Sequence, residues 1–201
     1  DDFVIPAYGA AAYFQLGYKL GCLELSAGLR LDYERSTMDY DSRSLVYYKT
    51  YKDATEYKAL PVELVGRNSM QALELLPSFS LSYNMSWGTV YASARKGFKA
   101  GGFNTQMFSE ILQRRLQNKM GLYRDMNVEE LCAYNPEHSY NVELGGHFGT
   151  RDGVFSADAA LFYIECLDQQ LTIFPDENST GRMMTNAGRT RSFGAEVSVS
   201  A

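Results

Sequence analysis

No stretch of this chain is apolar for long enough to cross a bilayer as a helix, which takes about 20 consecutive residues. The longest uncharged run, Leu75 to Ala94, is interrupted by Pro77, Asn84, Gly88 and the serines at 78, 80, 82, 86 and 93. Cysteine is scarce and odd in number. Cys22, Cys132 and Cys166 lie far apart without a CxxC spacing, which argues against a disulfide framework and a zinc site and leaves them without an expected chemical role. Histidine is limited to His138 and His147, which have no ligand-spaced cysteine or carboxylate beside them, so neither a metal site nor a cofactor is expected. The Lys and Arg residues are dispersed in a chain of net charge -5, which leaves no stripe to track phosphates and excludes nucleic acid as a partner. The opening Asp1-Asp2-Phe3 has neither the basic nor the apolar part of a signal peptide, so for a membrane protein the true start is expected upstream.

Tyrosine, phenylalanine and glycine, by contrast, are plentiful, at 15, 11 and 17 of 201 residues, a choice that favours strands and turns. Hydrophobic residues make up 45% of the chain, yet its mean hydropathy is -0.29, so they are interspersed with polar ones. The interspersion is regular. Between Leu23 and Glu34, Leu23, Leu25, Ala27, Leu29, Leu31 and Tyr33 share one face of an extended chain, and Glu24, Ser26, Gly28, Arg30, Asp32 and Glu34 share the other. The same period of two recurs around Phe14 to Leu20, Phe79 to Met85, Tyr140 to Leu144 and Phe193 to Ala201.

Seven strands are predicted, at roughly 10–20, 23–34, 73–85, 89–99, 138–149, 154–173 and 183–201. The links between them alternate. Those at 20–22, 86–88 and 150–153 are tight, whereas those at 35–72, 100–137 and 174–182 are longer. Short and long connections in alternation are the rhythm of an outer-membrane barrel, with turns on one rim and loops on the other. The predicted fold is all-β, an antiparallel up-and-down meander forming a segment of a large transmembrane β-barrel, with residues 1–201 as one partial barrel domain.

One long link carries a helical pattern, in which Met107, Ile111, Leu112, Leu116 and Met120 return at helical spacing and Gly121 supplies the stop. Arg114, Arg115 and Lys119 fall toward its C-terminus, where they suit the helix dipole. A short amphipathic helix covering the barrel rim is the plainer reading, and a ligand-contacting helix the sharper one.

The remaining motifs are bland. The glycines from Gly97 to Gly102 lack a GxxxxGK[ST] pattern and mark a strand exit. Asn178-Ser179-Thr180 matches a glycosylation sequon, a pattern common by chance. No Ser/His/Asp set, activated cysteine or carboxylate pair stands in a recognisable context, so no enzyme is expected.

Several phrases, in order along the chain, resemble TonB-dependent outer-membrane receptors. Gly28 to Tyr33 is similar to their "GLRYDY" strand, Leu76 to Tyr83 to "LPSFSLSY", and Lys96 to Asn104 to "KGYKAGGFN". Tyr134-Asn135-Pro136-Glu137 with Asn141 to Gly145 resembles "YxPExxxNYELG". Phe162-Tyr163 with Asp168-Gln169-Gln170, then Asn186-Ala187-Gly188 and Ser192 to Glu196, resembles "FYxxxxDQ" and "NAGxxxSxGxE".

The resemblance implies a barrel of about 22 strands with a plugged lumen, of which seven predicted strands make about a third. It further implies uptake of a scarce nutrient such as a ferric siderophore, contact with outer-membrane lipid, and energy from TonB delivered through a plug domain outside these residues. Ligand contacts are expected in the long loops, where Tyr47, Tyr48, Tyr51, Arg115, Tyr123 and Arg124 combine aromatic and cationic groups suited to anionic metal chelates. Two rivals stay open: a passive outer-membrane channel or structural barrel, and a soluble ligand-binding barrel with its leucine face turned inward.

Overall fold

A computed structural model describes residues 1–49, 55–119, 121, 131–150, 152–174 and 182–201. Twelve strands and one α-helix follow one another among these residues: β1 (Asp2–Val4), β2 (Ala7–Leu20), β3 (Leu23–Tyr48), β4 (Lys58–Met85), β5 (Gly88–Lys99), β6 (Gly102–Phe103), α1 (Phe108–Lys119), β7 (Ala133–Tyr134), β8 (Glu137–Gly149), β9 (Ser156–Leu167), β10 (Gln170–Ile173), β11 (Met183–Asn186) and β12 (Arg189–Ser200). The main sheet is an antiparallel meander in which β3, β4, β5, β8, β9 and β12 pair in sequence, with β1 and β2 both lying along the free side of β3. It is not closed within this segment. Small pairs, β6 with β7 and β10 with β11, stand at the end away from the tight turns.

Register is what turns sequence alternation into two surfaces. One hydrogen-bonded row crosses the sheet through Tyr18, Leu25, Leu81, Ala92, Leu144, Leu161 and Ala195. A second row on the same face runs through Leu16, Ala27, Phe79, Ala94, Val142, Tyr163 and Phe193. Between them lies a row on the opposite face, from Gly17 through Ser26, Ser80, Ser93, Glu143 and Phe162 to Gly194. A slip of one residue in any pair would break this sorting.

The burial pattern is inverted relative to a water-soluble sheet. Along β4 from Glu63 to Tyr83 the odd residues are exposed, apart from Pro77, and they include Leu73, Leu75, Phe79 and Leu81. The even residues, Glu74, Ser78, Ser80 and Ser82 among them, are the covered ones. Soluble monomers rarely leave so continuous an apolar surface open.

One predicted link and two predicted strands differ from expectation. The link expected at 35–72 is largely strand, since β3 and β4 continue past Glu34 and Leu73 as one hairpin and every one of the 26 residues of β3 is paired in a single register. Along this extension the faces exchange character. Beyond Tyr33 the formerly apolar face carries Arg35, Asp39, Asp41 and Arg43, while Met38 of β3 and Val62 and Leu64 of β4, on the formerly polar face, are buried. The strands expected at 154–173 and 183–201 are each broken, with Asp168 (φ 54°) opposite Gly188 (φ 80°) at the break. Left-handed backbone suits glycine and is tolerated by aspartate. Pairing resumes beyond the break in the register it had before, as Leu167 to Arg189 and then Gln170 to Asn186.

The helical expectation is met by α1, preceded by a 3-10 turn at Thr105–Met107. Met120 of that pattern and the sequon at 178–180 lie outside the described residues. Among the described residues, no helix is long and apolar enough to cross a membrane.

Candidate functional site

The small elements gather at the end of the sheet opposite the tight turns and form a roof. Its core is the one cluster of buried hydrophobic residues among those described: Met38, Val62 and Leu64 of the hairpin, Met107, Phe108, Ile111 and Leu112 of the helical segment, and Cys132. Phe108 is the centre. Its ring meets Phe3 edge-on at 4.8 Å and Tyr40 at 4.9 Å, distances at which aromatic pairs add about 0.5–1.5 kcal/mol beyond area burial. Burial pushes the Cys132 thiol up to about 12, so it is a packed hydrophobe and not a nucleophile.

Polar side chains then tie the roof to the wall. The Asn104 amide donates to the carbonyls of Leu131 (3.1 Å) and Met184 (2.8 Å) and accepts from the Met184 N–H (2.8 Å), so it serves β11 as a strand neighbour would. Asn186 does the same for Asn135, accepting from its N–H at 2.7 Å and donating to its carbonyl at 2.9 Å, and also reaches the Asp168 carbonyl at 2.8 Å. Gln170, buried, donates to the Ala100 and Asn135 carbonyls at 2.7 and 3.1 Å, while its own N–H reaches Glu137 at 2.8 Å. Below them, Glu74 accepts from Lys96 and faces His138, both at 2.9 Å. That carboxylate bridges a seam, because β4 and β5 stop pairing at Ser78–Arg95 while β5 and β8 continue to Lys99–Glu137.

These bonds explain phrases that the sequence offered only as a resemblance. Lys96, Asn104, Asn135, Glu137, Gln170 and Asn186 come from four separate phrases, and Asn135, Glu137, Gln170 and Asn186 meet in one network. We expect Asn186→Leu, which strands the Asn135 N–H and two carbonyls, to cost about 1–3 kcal/mol locally. Hydrogen exchange at the Asn135 amide should speed up while amides in the middle of β12 keep their protection. Unchanged exchange at Asn135 would remove the strand-mimic role.

The polar face has two hollows. One, of about 520 Å³, is lined by Gly9, Ala11, Arg30, Asp32, Glu34 and Phe98. Arg30 grips Asp32 there through two hydrogen bonds of 2.8 and 2.9 Å. The other, of about 550 Å³, lies nearer the tight turns, where Tyr91 donates to Glu143 at 2.6 Å, stacks on His147 at 5.3 Å, and His147 meets Asp158 at 2.7 Å. Among the described residues no group of three or more His, Cys, Asp or Glu is placed to hold a metal. Both hollows suit hydrated, charged contacts.

Of the sequence-predicted ligand residues, Tyr51, Tyr123 and Arg124 lie outside the described residues. Tyr47 and Tyr48 end β3 at the hairpin tip, Tyr47 exposed and Tyr48 half-buried. Arg115 sits on α1 and donates to the Glu63 carbonyl of β4 at 3.2 Å, beside Lys119 on the Pro61 carbonyl at 3.0 Å. Tyr48 pairs with Lys58, five residues from Glu63 on the same strand, so Arg115 and Tyr48 attach about 17 Å apart. The residues missed from sequence are those of the polar network and the two hollows, whose only signal was their place in the family phrases or on the polar strand faces.

The description "TonB dependent receptor-like, beta-barrel" matches residues 2–201. The chain belongs to this family. Solved relatives agree on the TonB-dependent barrel fold. The ferric yersiniabactin uptake receptor FyuA from Yersinia pestis is 19% identical with a TM-score of 0.65, over 98% of this chain and 24% of that one. The siderophore receptor PiuA from Acinetobacter baumannii is 14% identical with a TM-score of 0.60, over 98% and 23%. The hemophore receptor HasR of Serratia marcescens is 14% identical with a TM-score of 0.59, over 96% and 31%. At such identities the likeness is one of fold alone. The chain spans roughly a quarter to a third of the length of these receptors. No curated sequence matches it. TonB-dependent receptor barrels are outer-membrane proteins.

Proposed function

We propose that this chain is part of the wall of an outer-membrane receptor that takes up a scarce nutrient, a ferric siderophore or similar metal chelate, with energy from TonB. The observation that carries the reading is the inverted sheet. Its apolar face runs on β3 from Leu23 to Tyr33, a rise of about 33 Å along the strand, and at a tilt near 40° that spans about 25 Å, the height of a barrel's apolar band. Aromatic residues mark both ends of the face, with Trp87 stacked on Phe148 near the tight turns and Tyr33, Tyr163 and Phe193 at the other. The polar face then lines a wet lumen, and the roof stands on the outer side of the membrane.

The choice of nutrient follows the relatives, whose names specify ferric yersiniabactin, a siderophore, heme and, for OprC, copper. Tyr47, Tyr48, Tyr51, Arg115, Tyr123 and Arg124 remain the proposed ligand contacts, with Arg115 also holding α1 to the hairpin. TonB would act through a plug domain outside these residues.

Cells carrying the whole receptor should accumulate radiolabelled iron from a ferric catecholate or ferric hydroxamate probe. Deleting the receptor gene should abolish this, and so should removing TonB. Accumulation that survives loss of TonB would favour the passive channel. Loss in neither strain would reject iron-chelate uptake.

A further inference from the structure

We propose that Arg189 and Arg191 form a lateral site for the phosphate of an anionic lipid headgroup, on the membrane-facing side of the wall. The inference rests on the barrel reading and adds a partner at a defined place.

The face comes from register. Arg191 pairs with Glu165 and Arg189 with Leu167, so both arginines continue the face that holds Phe193 and Tyr163 one step earlier. The height comes from stagger. The row through Tyr163 crosses Val142, Ala94 and Phe79 to reach Ala27 on β3. Four strand spacings of about 4.8 Å at a tilt near 40° raise the wall by about 12 Å, or roughly five residues along a strand. Tyr33, the last apolar residue of that face of β3, is six residues past Ala27. Tyr163 and Tyr33 therefore lie at about one level, and the arginines, like Arg35 after Tyr33, fall just beyond the hydrocarbon, at the depth of headgroup phosphates.

Charge and exposure supply the chemistry. Two guanidiniums share the single carboxylate of Glu165: Arg191 Nε is 3.0 Å from it and Arg189 contacts the same oxygen. The carboxylate is largely hidden, with 18% of its side chain exposed, beneath the two arginines. Among the described residues the cluster thus presents an excess positive charge outward, and guanidinium forks match phosphate oxygens in shape. Further along the same face Arg67 is matched with Asp39 and Arg43 with Asp41, and these two pairs carry no such excess. Phe193, on the same face just inside the boundary, offers an apolar shelf for the acyl chains of the same lipid.

The test uses the full-length receptor in micelles doped with phosphatidylglycerol or with phosphatidylcholine, its unfolding followed by heat-modifiable gel mobility. Phosphatidylglycerol should raise the unfolding temperature a few degrees more than phosphatidylcholine. R189Q/R191Q should erase that difference, and E165Q, which unmasks the arginines, should enlarge it. If R189Q/R191Q does not assemble, E165Q decides, and an unchanged or smaller preference overturns the proposal. An equal gain from inorganic phosphate alone would replace the lipid with a free anion and also overturn it. A wild-type receptor with no heat-modifiable form in any lipid would instead reject the barrel reading beneath.

Discussion

Leu29→Arg is expected to abolish or severely impair assembly of the receptor, and Arg30→Leu to leave it largely intact. Leu29 stands near the middle of the apolar face of β3, between Leu23 and Tyr33, and is exposed there. If that face meets hydrocarbon, an arginine at its midpoint costs roughly 2–4 kcal/mol, a large fraction of the margin by which most proteins are stable. The neighbouring position differs by one step in height and by the whole thickness of the wall in environment. Arg30 is exposed on the polar side, where its partner is Asp32, and losing an ion pair open to solvent costs little. Heat-modifiable gel mobility of the two variants in the full receptor measures folded barrel directly. Equal damage, or greater damage from Arg30→Leu, would assign lipid to the wrong face and revive the soluble barrel with its leucines inside.

The second large effect is expected from Phe108→Ala, and it should be confined to the roof. Deleting a fully buried phenylalanine typically costs about 3–5 kcal/mol, and Phe108 is the residue that joins α1 to Phe3, Tyr40 and the hairpin core. At about 1.4 kcal/mol per tenfold, the docked helix loses two or more orders of magnitude against the undocked one. Cys132 reports this. Its thiol is buried and pushed up to about 12, so in the intact roof a thiol reagent at mildly alkaline pH finds little thiolate. In a background with Cys22 and Cys166 replaced by serine, Phe108→Ala should speed labelling of Cys132 at least tenfold without changing the heat-modifiable barrel band. Labelling at the parental rate would mean that α1 is held by something other than this core.

The wall was legible from sequence wherever one face stayed apolar. Leu23 to Glu34 shows an unbroken period of two because each side of the strand has one solvent throughout. The hairpin extension was read as a loop for the opposite reason. Apolar residues occupy odd positions up to Tyr33 and from Leu73, but even positions at Met38, Val62 and Leu64. A pattern that changes phase looks like no pattern, although the backbone never changes register. The break at Asp168 and Gly188 was invisible because pairing resumes unshifted on its far side. α1 was legible because Met107, Ile111, Leu112 and Leu116 share one stripe.

Roles within the roof were a different matter. Asn104 is 80 residues from its partner Met184, and Asn186 is 51 from Asn135. Nothing local in "GGFN" or "NAG" announces an amide that completes another strand's hydrogen bonds. Arg115 adds a contact that no local pattern showed, since it also donates to the Glu63 carbonyl of β4.

The exchange of faces along the β3–β4 hairpin also sets a draught line for the receptor, as the waterline of a hull does. Sinking the wall by two residues would draw Arg35 into hydrocarbon, and raising it by two would lift Tyr33 into the outer headgroups and draw the turn at Gly21 and Cys22 into hydrocarbon. A thicker bilayer therefore cannot be met by sliding; it has to thin around the wall, at a cost of fractions of a kcal/mol per Å. The arrangement matches this chain to a membrane whose hydrocarbon is about 25 Å deep, thinner than the average bilayer, and penalises its insertion into a thicker one.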